Sequence, residues 1–434
     1  MTLPAAVLAL LLAVAPPATD GLRQVTACVG PGGAATGPEG TLPLDAVHAL
    51  ADGTGVRVAV IDTGVAPNPR LAHLTGGGDY LTGGDGLDDC DGHGTAVAGL
   101  LAATPGDDGF AGLAPGVEIV AIRQASPSFT VPAPGGGTRP AGDTATLARA
   151  VDHAVALRAS VVTISEAVCL DADRAAPVGR PLREALQRAA AADVLVVAAA
   201  GNVGSGGCTG DAGQVPLPAG AGADAPGVLA GTVGGPAGQP RTPGAAPRTQ
   251  PAQASLPGAG AGTRSGADRA ALADGVLAVG AVTPTDTPAP FTVRGPWVDL
   301  AAPGTGLRSL APGRGLTGPD LQGTSMAVPI VAGTAALVRQ RFPGLSAAEV
   351  ADRLVATARR APGGWTDAVG AGIVDPLAAL TALAPRAAQE PRPARITAGT
   401  PATAPLPGWL LPAALAVVVA LLAALPTVGR RLRP

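Results

Sequence analysis

The chain has 434 residues, 47% of them hydrophobic and 14% charged, with a formal net charge of -3. That length and apolar content can bury a large core, and the lack of a basic excess argues against a nucleic-acid partner. The 63 glycines and 45 prolines fall between apolar runs without a fixed period, which points to short elements joined by long loops rather than to a repeat.

Residues 3 to 15, LPAAVLALLLAVA, are apolar, too short to span a bilayer, and end on small residues with Ala13 and Ala15 in an A-x-A arrangement. Residues 1 to 20 therefore read as a secretory signal, followed by an extension over 21 to 44 that carries Cys28. The body, 45 to 383, alternates two kinds of segment. GVRVAVID (55 to 62), VEIVAIR (117 to 123), ASVVTIS (159 to 165), DVLVVAAAGN (193 to 202) and GVLAVGAV (275 to 282) are short β-branched or apolar runs, the signature of strands buried on both faces of a parallel sheet. TATLARAVDHAVALR (144 to 158) and RPLREALQRAAAA (180 to 192) carry apolar residues at helical spacing and predict helices packed on that sheet. The alternation gives an α/β domain in three layers with a mostly parallel central sheet, whose functional loops lie at the carboxyl edge of the strands. Residues 219 to 273, rich in Gly, Ala and Pro, read as a low-complexity insertion, a mobile loop near the site.

Residues 384 to 408 read as a Pro-rich extended linker. Residues 409 to 428 are apolar and as a helix reach about 30 Å, the thickness of a hydrocarbon core. The tail, 429 to 434, carries Arg430, Arg431 and Arg433, so the positive-inside rule places it in the cytoplasm and the body outside the membrane. Four cysteines in an exported chain imply two disulfides, for which composition allows three pairings.

Four segments carry chemistry. VIDTG ends the first strand on Asp62, DGHGTAVAG puts His93 at the start of a helix, AAAGN ends a strand on Asn202, and GTSMAVP puts Ser325 at the start of another helix. A hydroxyl nucleophile needs a base and the base an orienting carboxylate, roles that Ser325, His93 and Asp62 can fill. A helix N-terminus disfavours an imidazolium and a buried carboxylate favours it, and from that balance the resting base is expected to be neutral near neutral pH. His48, His73 and His153 lack such company and read as caps or surface residues. Competing chemistries fail on pattern: there is no second DTG for an aspartic peptidase, no zinc-ligand spacing among the histidines and cysteines, and no G-x-S-x-G elbow. No metal or cofactor is expected.

In the order Asp, His, Asn, Ser, the segments VAVIDTGV, DGHGTAVAGL, AAAGN and GTSMAVP resemble the subtilisin-like serine peptidases, the subtilases. The resemblance implies that Asp62 orients His93, that His93 takes the proton of Ser325, and that Asn202 joins the Ser325 amide in stabilising the oxyanion. It also implies that Ser165, Glu166, Ala200 and Gly201 line the path of the substrate backbone. Where subtilases carry Ser-Leu-Gly-Gly this chain has Ser165, Glu166, Ala167 and Val168, a bulkier and acidic wall. Together with DCDGHGT, the flanking signal, Cys-bearing extension, Pro-rich linker and terminal apolar helix are similar to the mycosins, membrane-anchored subtilases associated with type VII secretion in actinobacteria. That likeness implies an extension that wraps the catalytic domain, and residues 21 to 44 are too short for a folded inhibitory prodomain. It further implies the pairs Cys169–Cys208 and Cys28–Cys90, protein or peptide substrates, and membrane components of the secretion machinery as partners. The alternative is a structural component of such a complex, with proteolysis secondary.

Overall fold

The computed structural model describes residues 19–33, 42–211, 213–221, 275–360 and 364–383, all within the first of two compact units, Met1–Leu383 and Ala384–Pro434. In chain order the first elements are β1 (Arg23–Gln24), α1 (Leu44–His48), β2 (Arg57–Asp62), β3 (Leu74–Asp79), α2 (His93–Ala102) and β4 (Glu118–Arg123). A hairpin, β5 (Ser126–Pro132) with β6 (Thr138–Ala141), precedes α3 (Thr144–Ala156), β7 (Val161–Ile164), β8 (Val168–Asp171) and α4 (Ala172–Ala191). Then come β9 (Leu195–Ala199), β10 (Gln214–Leu217), β11 (Leu277–Val282), β12 (Val298–Pro303), α5 (Thr324–Arg341), α6 (Ala347–Thr357) and α7 (Pro376–Thr381).

Seven strands form one sheet in the order β12-β11-β9-β7-β2-β4-β3, and every described pairing in it is parallel. Strand alternation sorts the side chains into two cores. Val58 and Val60 of β2, Ile119 of β4, and Leu195 and Val197 of β9 face the layer of α2 and α5, whereas Ala59, Ile61, Val120, Val196 and Ala198 face α3 and α4. Burying each Val, Ile or Leu in this way contributes about 1.5–3 kcal/mol, and both faces of the sheet are covered, so its strands read as continuous apolar runs. Helix α3 starts where Asp143 and Thr146 form a reciprocal capping box. Helix α4 begins at Ala172, eight residues before the predicted start, and carries Pro177 and Pro181 in its first half.

The extension lies along the body. Thr19 donates from its amide to Leu81 O, β1 pairs antiparallel with β5, Val29 N donates to Cys90 O, and the Gly32 amide donates to Arg314 O. Strands β8 and β10 make a second small antiparallel pair, which carries Cys169. Of the insertion, residues 219 to 221 form a turn in which Ala219 and Ala221 are buried, closed by Arg183 Nε donating to Ala221 O. The chain is described again at Gly275, which lies against the Leu186 carbonyl of the same helix. The rest of the insertion, the linker and the expected span at 409 to 428 lie outside the described residues, among which no helix is long and apolar enough to cross a membrane.

Candidate active site

The carboxyl ends of β2 and β9 and the amino ends of α2 and α5 meet at one edge of the sheet. Asp62, the last residue of β2, is 1% exposed. Its Oδ1 accepts from Thr63 N at 2.8 Å and from His93 Nδ1 at 2.7 Å, while Oδ2 is buried without a hydrogen-bond partner. A carboxylate can only accept here, so the contact puts the proton on Nδ1 and leaves Nε2 free to act as a base when the ring is neutral. Close approach of α2 to β2 requires glycine at position 94, where a Cβ would come within 1.9 Å of Gly64 O.

Behind His93, Asp89 is saturated. Its Oδ1 accepts from the Thr63 hydroxyl and Gly92 N, each at 2.8 Å, and its Oδ2 from Thr95 N at 2.8 Å and the Thr95 hydroxyl at 2.6 Å. Burial nonetheless raises its pKa, against the lowering effect of those bonds. This carboxylate satisfies the otherwise orphaned amides at the start of α2 and so fixes the backbone that carries the imidazole.

On the opposite side Asn202 is oriented by the residue before the nucleophile. Its Oδ1 accepts from Thr324 N at 2.9 Å and from the Thr324 hydroxyl at 3.0 Å, which turns Nδ2 outward. Ser325, 6% exposed, occupies the first turn of α5, and Pro329 lacks the amide that would bond the Ser325 carbonyl. Gly323 (φ +147°) leaves a hollow: the position of its absent Cβ lies 2.7 Å from Ser325 Oγ, 3.3 Å from Asn202 Nδ2 and 3.6 Å from Ser325 N. A hydroxyl and two N–H donors thus converge on one space, an arrangement that suits acyl transfer.

Ser325 Oγ makes no hydrogen bond to His93. Instead a second acidic group stands beside the ring: one donor atom each from Asp62, His93 and Glu166 lie within 4.8 Å of one another. His93 Nδ1 donates to Asp62 Oδ1 within this cluster. Burial lowers the His93 pKa, but the charge and hydrogen bond of Asp62, with the charges of Glu166 and Asp89, outweigh it and push the imidazole up to about 9. The expectation of a neutral resting base is therefore corrected. The charge and hydrogen bond of Asp62, which that expectation set against the helix N-terminus, outweigh it, and Glu166, 73 residues away, adds to them. Burial, then repulsion from Asp62, raise Glu166 in turn.

Of the other expected substrate-path residues, Ser165 is buried with its Oγ unpartnered. Ala200 is fully buried with its amide donating to Val279 O, and Gly201 donates to the Thr324 hydroxyl and accepts from Val293 N. The amides of Ala200 and Gly201 are thus committed within the body. Two disulfides flank the cleft, Cys28–Cys90 on the His93 side and Cys169–Cys208 beside Asn202, the pairings that the resemblance implied. Sequence reasoning missed Asp89, Thr63, Thr95 and Thr324; their only signal was their place inside the quoted motifs. His48 bonds the Gly112 and Leu113 carbonyls and His153 packs edge-on against Tyr80, both away from this site.

Comparison with known proteins gives a consistent picture. The pattern of the subtilase family (peptidase S8) matches residues 53–372. Mycosin-4 of Mycobacterium tuberculosis (strain ATCC 25618 / H37Rv) is 40% identical over 415 residues, covering 90% of this chain and 81% of the relative. Among solved structures, the MycP3 protease from the type VII (ESX-3) secretion system superposes with a TM-score of 0.64 at 35% identity, covering 85% of this chain and 96% of that one. A chain of the intact ESX-5 inner membrane complex superposes with a TM-score of 0.66 at 31% identity, covering 96% and 97%.

Proposed function

The chain belongs to the subtilase family of serine proteases and, within it, to the mycosins, and from that premise we propose that it is a membrane-anchored endopeptidase acting on exported proteins. The observation that carries the reading is the convergence of Ser325 Oγ, Asn202 Nδ2 and Ser325 N on the hollow at Gly323, across the cleft from the Asp62–His93 pair. In the proposed cycle Ser325 Oγ attacks the peptide carbonyl and passes its proton to His93 Nε2. Asp62 stabilises the imidazolium, and Asn202 Nδ2 with Ser325 N binds the oxyanion. His93 then gives the proton to the leaving amine, and water repeats the sequence on the acyl-enzyme. Because the base must be neutral, turnover follows the alkaline side of a limb near pH 9.

The proposal extends to the termini: a leader within residues 1 to 20, an extracellular or periplasmic domain, a linker over 384 to 408, a span over 409 to 428, and a cytoplasmic tail. Type VII secretion membrane components are the proposed partners, since a structural neighbour covering almost the whole chain belongs to an ESX-5 inner membrane complex. That same likeness favours a second reading, a structural subunit in which proteolysis is secondary. Fluorophosphonate labelling and comparison of protein termini in cells with wild-type or Ser325→Ala protein test the first reading. Labelling and cleaved termini that vanish together with the Ser325 hydroxyl support it. Secretion lost on deletion but fully restored by Ser325→Ala makes the structural role the essential one.

A further inference from the structure

The proposed cycle leaves one carboxylate of the cleft without a task. Asp62 holds His93 Nδ1, Asp89 is saturated by four donors, and Asp91 accepts from Ser126 Oγ and from Ser128 N. Glu166, half-buried between β7 and β8, forms no hydrogen bond and no ion pair through its carboxylate among the described residues. Unlike Asp62 Oδ2, its oxygens are not sealed from solvent. The stretch that carries it cannot swing freely: Cys169 is bonded to Cys208, its amide donates to Gly206 O, and β8 is paired along its length with β10. An open, unpartnered carboxylate is thus held within 4.8 Å of ligand atoms of Asp62 and His93.

We infer that Glu166 is a specificity-determining residue of this peptidase, the anchor for an arginine or lysine side chain that the substrate carries close to the scissile bond. The base must come within hydrogen-bond reach of the reacting groups, and Glu166 stands beside that base, so one extended substrate side chain can span from the cut to this carboxylate. Charge selects what that side chain is. The groups that face Glu166 are Asp62 at the end of β2, His93 in the first turn of α2, and Asp89 and Asp91 on the loop before that helix, three carboxylates against one imidazole. An anionic side chain is repelled there, and an apolar one strands the carboxyl without a partner, whereas a cation supplies the counter-charge that the fold itself does not. Burial and repulsion from Asp62 push the Glu166 carboxyl up, so without substrate it holds a proton near neutral pH. A bound cation displaces that proton to solvent, and recognition strengthens as pH rises. The inference rests on the peptidase reading and deepens it by naming a substrate class.

The test measures kcat/KM on the full chain in membranes, with peptides that carry either one arginine or its uncharged analogue citrulline at each position around the cleaved bond in turn. At one position wild type is expected to prefer arginine by about 10- to 100-fold above pH 8, the range of a hydrogen bond to a charged group, and by less at pH 5.5. Both values of kcat/KM refer to the same free enzyme, so titration of His93 cancels in their ratio. Glu166→Gln is expected to erase both the preference and its dependence on pH, Glu166→Asp to keep part of it, and Glu166→Arg to turn it toward a glutamate peptide. Each ratio is taken on one preparation and is independent of the fraction folded; should one variant fail to fold by thermal unfolding, the others decide by the same ratio. A loss of packing alone would lower the rates on both peptides together. Wild type without an arginine preference at any position, or a preference that survives Glu166→Gln, overturns the inference and leaves the peptidase reading intact. Wild type that cleaves no peptide and takes up no fluorophosphonate removes both. If it labels without cleaving, protection from the label by arginine over citrulline peptides replaces the rate ratio.

Discussion

The two walls of the cleft hold their acidic groups by opposite means. On the His93 side Asp89 is 7% exposed and accepts four hydrogen bonds, all within one short stretch of chain and its neighbouring strand end. On the Asn202 side Glu166 is half-buried, the Ser165 hydroxyl beside it is buried without a partner, and the wall is held by a disulfide and a two-stranded pairing. A group whose bonds are all used can only hold structure, because moving it strands its partners. A group left with unused capacity can exchange protons with whatever enters. The saturated wall fixes where the His93 imidazole stands, and the unsaturated wall adds its charge to that of Asp62.

The variant with the largest expected effect lies between the walls. Ser325→Ala removes one hydroxyl at the start of α5 and adds no bulk, so folding is expected to survive while hydrolysis falls about 10⁶-fold, the magnitude known for the nucleophile of subtilisin. A peptide-library assay with thermal unfolding as the control checks both halves. Asn202→Ala is expected to lower kcat by about 10²- to 10³-fold with little change in KM, again on the subtilisin scale, because Nδ2 acts on the transition state. Steady-state kinetics that show a raised KM instead would make Asn202 a ground-state contact and blur the distinction between the walls.

Asp89→Ala strands the Thr63 hydroxyl, Gly92 N and both Thr95 donors. At about 1–3 kcal/mol per buried donor it is expected to cost several kcal/mol in urea unfolding, with Asp89→Asn in between because one oxygen remains. The opposite wall is expected to respond to pH rather than to truncation. The folded-state pKa of Glu166 is raised from 4.5 to about 8, and that of His93 from 6.5 to about 9. The folded state thus binds the extra protons: the contribution of Glu166 is full below about pH 4.5 and is lost as pH rises through 8, and that of His93 is lost toward 9. Unfolding at pH 5 and pH 8.5 should show wild type weakening across this interval and Glu166→Gln weakening less. An equal loss in both would place the stored proton elsewhere.

How much could be read before the fold was known follows from how local each signal is. β2, β4, β7, β9 and β11 lie within the predicted runs because strands buried on both faces advertise themselves as unbroken apolar segments. β3, LTGGGD, and the hairpin β5–β6 carry no such run, and the two prolines of α4 mask its first two turns. The places of Asp62, His93, Asn202 and Ser325 in the fold were legible because each lies near a strand end or at a helix start inside a compact motif. Thr324 was not, since its function is to orient an amide 122 residues away. For His93 the sequence showed Asp62 and the helix start, whereas the charges of Glu166 and Asp89 that add to Asp62 are brought in by the fold.

On either side of the segment between β10 and β11, Ala221 is held by Arg183 and Gly275 lies against Leu186. Those two anchors are three residues apart on one helix, and so lie on the same side of it. The entropy lost in joining two fixed points grows only with the logarithm of the chain between them, so doubling that length costs about 0.6 kcal/mol. Exit and return at a single helical turn therefore uncouple the length of this segment from the register of the central sheet. A change in the length of chain between the two anchors is therefore expected to leave the geometry of the catalytic edge unchanged.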